Sequence, residues 1–191
     1  MARCPAAALP RLLPADVDVR TGLCAGGLVR IAASPGMGMG AFAAQLLSPA
    51  LELGLYVGER LSLSGLHARY GTPDGDFPDY AWHTQWAAER RARGVDITGR
   101  FVLNLGRCPV ARRLIFLDAE DPTHANWSRF LNHSASRPNV LIDTGGPLSD
   151  RGERVARVRV AERAVQPGTE LLFDYGVGYF EPPSRGEARD G

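Results

Sequence analysis

The segment spanning residues 126–139, NWSRFLNHSASRPN, concentrates side chains that can bind or position a ligand. It holds amides, hydroxyls, an arginine and a histidine next to turn-forming residues, without a repeat or a regular apolar period. His133 beside Ser134 could indicate hydrolase chemistry, but no Gly-x-Ser-x-Gly turn is present to expose a nucleophilic serine. A catalytic triad is therefore disfavoured, and the segment needs another explanation.

A second candidate is the glycine-rich stretch SPGMGMGAFA, in which Gly36, Gly38 and Gly40 follow an apolar run. Glycine has no Cβ, so the backbone can approach a ligand closely there. The spacing does not match a dinucleotide-binding fingerprint, and no parallel βαβ context follows it. Taken alone, the stretch is more typical of a flexible turn than of a binding site.

Composition limits the class of protein. The chain has 191 residues, 45% of them hydrophobic, which is enough for one globular domain with a core. The formal charge of +1 gives no overall field that favours nucleic acid or an acidic membrane surface. Cys4, Cys24 and Cys108 form no Cys-x-x-Cys pair, which argues against a zinc site and a secreted disulfide framework. A reducing compartment is favoured, and no apolar run approaches the ~20 residues of a membrane span.

Short apolar or β-branched runs, several alternating with period two, predict strands separated by turns rich in Pro and Gly. These runs are GLVRIAA, LELGLYVGE, RFVLNLG, RLIFLD, NVLID, RVARVRV and TELLFDY. Regular βαβ alternation is absent, so the expected fold is mainly β with short helices.

One helix is expected over residues 80–93. Trp82 and Trp86 are four residues apart, and Glu89 and Arg93 have the same spacing, which suits an ion pair. The two tryptophans are interpreted as packing residues and not as a base-stacking surface, because no basic stripe accompanies them.

The chain is expected to divide into a central domain with two flexible ends. Residues 1–27 are rich in Ala, Pro and Gly, and residues 181–191 are polar with two prolines. The domain would span residues 28–180, with an insert at about 61–100 whose composition indicates no particular substrate.

Four motifs in this order and spacing resemble the SET domain of the protein lysine methyltransferase family over about residues 28–180. They are GMGAFA, YVGE, FLDAEDPTHANWSRFLNHSASRPN and AVQPGTELLFDYG. The resemblance implies a β-clip fold of small sheets, in which the Asn-His and Asp-Tyr segments meet as a C-terminal pseudoknot. That pseudoknot would form the floor of the active site, which explains the concentration of polar and turn residues in 126–139.

The resemblance also implies S-adenosyl-L-methionine as the cofactor. Asn132 and the backbone of His133 would hold it, and the glycine-rich backbone would face it. For Arg129, a role in ordering the segment and a purely structural ion pair both stay open. The implied cofactor-binding set is Gly38, Met39, Gly40, Arg129, Asn132, His133, Tyr175, Tyr179 and Phe180, the last two standing where other members place an aromatic ring over the adenine.

For the substrate lysine, the resemblance implies a channel formed by Tyr56, Phe173 and Tyr175. Tyr175 matches the family's catalytic tyrosine. Tyr56 matches a second catalytic residue, which forms another wall of the channel. A lysine in water has a pKa of ~10.4, so the amine must lose its proton before it can attack a methyl group. Burial next to a positive sulfonium would lower that pKa. Phe173, where a tyrosine would crowd the nitrogen, predicts di- or trimethylation.

The chain also departs from many members of the family. Ala135 stands where many carry cysteine, and no Cys-x-Cys cluster follows Tyr175, so no metal is expected. The expected function is methylation of a histone or non-histone protein, and the alternative is a catalytically inactive SET-like binding or scaffold protein. The expected partner is a protein or peptide lysine, with no direct nucleic-acid binding and no membrane. An intracellular location is expected, with the nucleus or cytoplasm favoured and a plastid left open; the target and the oligomeric state are not indicated.

Overall fold

The computed structural model describes residues 13–110, 112–146, 148–149 and 152–176. Within these ranges the chain forms short strands, two α-helices and three 3-10 turns. The strands are β1 Leu23–Cys24, β2 Val29–Ser34, β3 Gly38–Ala43, β4 Glu52–Tyr56, β5 Glu59–Ser62, β6 Val102–Arg107, β7 Leu114–Asp118, β8 Asn132–His133, β9 Val140–Asp143, β10 Ala156–Val160 and β11 Leu172–Phe173. The helices are α1 Leu63–Tyr70 and α2 Tyr80–Ala92.

The strands form small sheets and no continuous large one. Three antiparallel sheets have the orders β1-β2-β3, β4-β10-β9 and β5-β7-β6. A fourth sheet is the parallel pair β8–β11, which joins the Asn-His and Asp-Tyr segments. The expected mainly β fold with short helices is confirmed, and each of the seven apolar runs contains a strand. Whether one segment threads past the other as a pseudoknot stays a prediction.

The glycine-rich stretch is a strand and not only a turn. β3 pairs with β2 along its full length, from Val29 opposite Ala43 to Ser34 opposite Gly38. Glycine in a strand interior lowers stability, and it often marks a place where another group approaches the backbone closely. The interpretation of this stretch as a turn therefore holds for residues 35–37, which connect β2 to β3, and not for Gly38–Ala43, which form a strand.

The core lies where the inner faces of the sheets meet. β10 shows the period-two pattern clearly, with Ala156, Val158 and Val160 buried and the arginines between them half-buried. Leu131 and Leu171, next to β8 and β11, are also buried in this core. Each such apolar side chain contributes roughly 1.5–3 kcal/mol by leaving water. The floor segments are therefore anchored by the same core that joins the sheets.

The insert at 61–100 contains both helices. Ser62 caps α1 by accepting from Gly65 N at 3.2 Å, and Asp79 caps α2 by accepting from Trp82 N at 2.9 Å. The expected helix over 80–93 is confirmed as α2, but its expected ion pair is not. Glu89 accepts instead from Gln85, and Arg93 bonds to Asp121.

A buried cluster of charges, here called the charged junction, joins the insert to the sheet β5-β7-β6. Arg69 donates to Glu59 at 2.8 Å and to Asp118 at 2.6 Å, and Arg90 also donates to Glu59. The side chain of Asp118 is fully buried, and the hydroxyl of Tyr70 donates to it at 2.9 Å. Buried charges persist only when they are paired and hydrogen-bonded, so the junction fixes both helices against the sheet.

In the part of the chain that the structure describes, no helix has the length and apolar content needed to cross a membrane.

Candidate active site

The floor of the site is built by the parallel pair β8–β11. Asn132 lies opposite Leu172, and His133 lies opposite Phe173. The side chain of Asn139 extends this pairing, because its Nδ2 donates to Glu170 O at 2.7 Å and its Oδ1 accepts from Leu172 N at 2.8 Å. An amide that offers both a donor and an acceptor can replace a backbone pair in this way. The two motifs that were distant in sequence are thus held side by side.

Asn132 and Glu170 fasten the floor to β3. The Nδ2 of Asn132 donates to Met39 O at 3.1 Å and to Glu170 Oε1 at 2.8 Å, while Ser34 Oγ donates to Glu170 Oε2 at 3.0 Å. A Cβ on Gly40 would lie 2.3 Å from Glu170 Oε1. The protein's own carboxylate therefore needs the room that Gly40 leaves, and contact of the Gly40 backbone with a cofactor stays a prediction.

Gly38 is a glycine for a different reason. Its φ is +81°, in the left-handed region where side chains with a Cβ are strained, and nothing lies within 4 Å of the place that a Cβ would take. The backbone at the start of β3 is therefore open on that side. No described residue donates to Oδ1 of Asn132, which can accept a hydrogen bond. An amide oxygen beside open backbone can accept a hydrogen bond from an ammonium group, such as that of an amino-acid cofactor.

The three residues expected to line a lysine channel meet at one cavity of about 200 Å³. Tyr56 enters from the end of β4, while Phe173 and Tyr175 enter from the floor. The remaining wall is supplied by the end of the insert, by Phe101 and by the first residues of β6, with Arg129 and Leu131. The full lining is Tyr56, Arg100, Phe101, Val102, Leu103, Asn104, Arg129, Leu131, Phe173 and Tyr175.

Tyr175 is fixed at both its backbone and its hydroxyl. Its N–H donates to His133 Nδ1 at 3.0 Å, and its hydroxyl donates to Leu131 O at 2.7 Å. Its ring centre lies 4.4 Å from that of Phe173 and 5.1 Å from that of His133. The first contact requires His133 Nδ1 to be unprotonated, and the second commits the phenolic hydrogen to a carbonyl. Toward an amine in the cavity, the Tyr175 hydroxyl can therefore act as an acceptor.

The opposite wall is held at the carbonyl of Phe101. The hydroxyl of Tyr56 donates to it at 3.0 Å, and Ala119 N donates to it at 3.1 Å. Arg129 lies over the Phe101 ring at 4.3 Å and donates to Ala119 O at 2.9 Å and Glu120 O at 3.0 Å. Burial lowers the pKa of Arg129. The hydrogen bonds of Arg129 go to carbonyls, and among the described residues no salt bridge includes it, which favours the ordering role. Contact of Arg129 with a cofactor stays a prediction.

Two carboxylates at the site carried no expected role. One is Glu170, whose side chain joins Ser34 to Asn132, although it stands within the quoted GTEL motif. The other is Glu120, only 1% exposed, which accepts from Thr98 N, Thr98 Oγ1 and Gly99 N. Burial raises the pKa of Glu120 despite these three bonds. The available signal for Glu120 was a polar residue that closely follows an apolar run, as in RLIFLDAE.

Two expected residues, Tyr179 and Phe180, lie outside the described residues. Among the described residues, no group of three or more His, Cys, Asp or Glu side chains is arranged to hold a metal ion.

The domain thus consists of small sheets around a parallel floor, with a narrow cavity beside it that is lined in part by aromatic rings. The model of the SET domain family matches residues 38–176, which is more than half of the chain. The chain therefore belongs to the SET-domain family, a family of protein lysine methyltransferases that generally use S-adenosylmethionine. No curated protein matches the chain in a sequence search.

Proposed function

We propose that the chain is an S-adenosyl-L-methionine-dependent protein-lysine N-methyltransferase that adds two or three methyl groups to a lysine of a histone or non-histone protein. The observation that carries this proposal is the cavity at which Tyr56, Phe173 and Tyr175 meet beside the floor. Its volume of about 200 Å³ is below the roughly 300–1,000 Å³ of pockets for drug-sized molecules. A cavity of that size fits a single extended side chain.

The lining of the cavity suits a lysine that must become neutral. Loss of water in this narrow cavity disfavours a charged ammonium, so it lowers the pKa of an amine that enters. The Tyr175 hydroxyl, held by Leu131 O, can accept a hydrogen bond from that amine and so orient its lone pair. The Tyr56 hydroxyl donates to Phe101 O and so holds the wall of the cavity in place. The residues therefore position the nucleophile, which is the main requirement of an in-line displacement.

The cofactor would be held on the other side of the floor. The backbone of Gly38 and Met39, the Oδ1 of Asn132 and the segment at His133 offer an open edge with acceptors for its amino-acid end. When bound, S-adenosylmethionine supplies an electrophilic methyl group on a sulfonium. We propose that the protein acts inside the cell, in the nucleus, the cytoplasm or a plastid.

The composition of the sequence removes one source of background from a lysine methylation assay. All 22 basic residues are arginine, and the sequence contains no lysine. Label transferred from the cofactor to lysine in a reaction with untagged protein must therefore lie on the added substrate. The assay is a protein array incubated with radiolabelled S-adenosylmethionine, followed by mass spectrometry of the modified lysine.

The Tyr175→Phe variant is the matched control for this assay. It lacks the hydroxyl that orients the amine, and loss of such a group commonly lowers the rate at least about 100-fold. Cofactor affinity, measured by calorimetry, should change little because the hydroxyl faces the cavity. Equal turnover of both proteins would refute the role of Tyr175. Tight cofactor binding without any methylated target would favour the alternative, a SET-like binding or scaffold protein.

A further inference from the structure

The insert carries a cluster of aromatic rings that is partly open to solvent, here called the aromatic face: Phe77, Tyr80, Trp82, His83 and Trp86. Tyr80 is 70% exposed and Trp82 is 42% exposed. Trp82 stacks on Trp86 with ring centres 5.7 Å apart, and Phe77 packs on His83 at 4.0 Å. Trp82 was expected to be a packing residue, but much of it faces solvent. Exposed aromatic clusters are typical of interaction surfaces.

The charge of this surface is one-sided. Residues 70–89 contain Asp74, Asp76, Asp79 and Glu89 but no arginine. Asp79 is used to cap α2, and Glu89 accepts from Gln85. Asp74 and Asp76 are exposed, and their carboxylates have no hydrogen-bond or ion-pair partner among the described residues. The aromatic face is therefore bordered by negative charge that the chain itself leaves uncompensated.

The chemistry of this cluster toward cations is visible within the molecule. The guanidinium of Arg90 lies 4.7 Å from the centre of the Trp86 ring, and that of Arg69 lies 5.5 Å from it. Both arginines belong to the charged junction, where carboxylates already neutralise them. Trp86 thus shows the geometry in which this cluster binds a cation, and Trp82 offers a second indole ring at the solvent side.

The insert is also joined to the cavity wall. A Cβ on Gly99 would lie 3.3 Å from the ring of Tyr70, so the end of α1 packs directly on this residue. The next two residues, Arg100 and Phe101, line the cavity. A substrate segment that enters the cavity by its lysine therefore has the insert as a neighbouring surface.

We infer that the aromatic face, with Asp74 and Asp76, docks an arginine- or lysine-rich segment of the protein substrate that flanks the target lysine. Carboxylates attract the cationic side chains, and the exposed faces of Trp82 and Tyr80 bind them by cation–π contact. This inference rests on the proposed function for the identity of the partner, but the docking itself can be measured without turnover.

The probe is a fluorescent Gly/Ser peptide with six arginines and one lysine, compared with the same peptide carrying six glutamates. Binding is followed by fluorescence anisotropy at about 0.1 M salt, where surface charges still act over about 10 Å. The arginine peptide should bind to the wild type at least about tenfold more tightly than the glutamate peptide. Asp74→Asn with Asp76→Asn, and separately Trp82→Ala, should each weaken it about tenfold.

Two matched controls separate the aromatic face from general electrostatics. Glu52→Gln with Glu162→Gln makes the same change of net charge at exposed positions elsewhere, and Leu46→Ala removes a comparably exposed apolar side chain. Both controls should bind the arginine peptide within about twofold of the wild type. Equal weakening by the controls, or no preference for the arginine peptide, would overturn the inference. If the face binds the peptide but no lysine is methylated in any substrate, the docking stands and the proposed function fails.

Discussion

The floor of the cavity and the insert beside it are held in place by different interactions. On the floor, each side-chain hydrogen bond has at least one neutral partner: the amides of Asn132 and Asn139, or the hydroxyl of Tyr175. The charged junction instead buries full charges from both sides. Loss of a neutral hydrogen bond costs about 0.5–1.5 kcal/mol and loss of one to a charged group such as Glu170 about 1.5–3 kcal/mol, whereas breaking a buried ion pair costs about 3–5 kcal/mol. The strongest dependence of stability on a single residue is therefore expected at the insert and not on the floor.

The largest effect on stability is expected from Arg69→Met. The variant keeps an unbranched apolar stem but removes the charge that satisfies Glu59 and Asp118, so the free energy of unfolding should fall by about 3–5 kcal/mol. Arg91→Met makes the same change at an exposed position of α2 and should stay within about 0.5 kcal/mol. Urea unfolding of both proteins measures the difference. Equal stability of the two variants would remove the contrast between the floor and the insert.

The next effect concerns cofactor affinity. Asn132→Ala should weaken the binding of S-adenosylmethionine by about 1.5–3 kcal/mol, the range for a hydrogen bond to a charged group. Asn132 also holds Met39 O and Glu170, so some stability is lost as well. Asn139→Ala loses two bonds of the same kind elsewhere on the floor and serves as the control. Calorimetry should show a larger dissociation constant for Asn132→Ala only. A similar loss of cofactor affinity in both variants would mean that Asn132 acts through the fold.

The two glycines of β3 separate crowding from backbone strain. Gly40→Ala places a methyl group against Glu170 and should cost about 1–3 kcal/mol while also weakening cofactor binding, because it displaces the partner of Asn132. Gly38→Ala meets no neighbour and should cost about 1–2 kcal/mol through its left-handed conformation. Thermal unfolding with and without cofactor checks both. If Gly40→Ala changed neither stability nor cofactor binding, Glu170 would be able to move aside without loss of either.

Phe173→Tyr is expected to change stability the least. It should instead change the product of the reaction. The added hydroxyl and the water it holds would crowd the amine, so that a methylated nitrogen cannot turn its lone pair toward the cofactor. Wild-type protein should give di- or trimethyl-lysine, and the variant should stop at monomethyl-lysine. Mass spectrometry of the product after long incubation decides this. Monomethyl-lysine alone from the wild type would contradict the assignment of Phe173.

Much of this organisation could be predicted from the sequence where a residue has one dominant local reason. Alternating runs such as RVARVRV gave β10 correctly, since one face of the strand is buried. The motif residues Tyr56, Phe173 and Tyr175 were predicted to share a channel and do line one cavity. Their catalytic and binding roles stay predictions, as do the ends of the domain.

The features that sequence did not predict depend on partners that are distant in the chain. The glycines of β3 looked like a turn because the reason for Gly40 is the carboxylate of Glu170, which is known only once the sheets are assembled. Arg93 was paired with Glu89 by helical spacing, but Asp121 of a neighbouring loop takes it instead. Local spacing predicts which side chains could meet, whereas tertiary packing selects among them.

The charged junction also determines how the insert could be exchanged between related proteins. Arg69 and Arg90 belong to the insert, while Glu59 and Asp118 belong to the sheet that receives it. Each side therefore carries charges of one sign. Deleting the insert would leave two carboxylates close together without their cations, and grafting it onto another domain would bury two guanidinium groups without acceptors. The insert is thus transferable only together with the two carboxylates, so the four residues depend on one another physically.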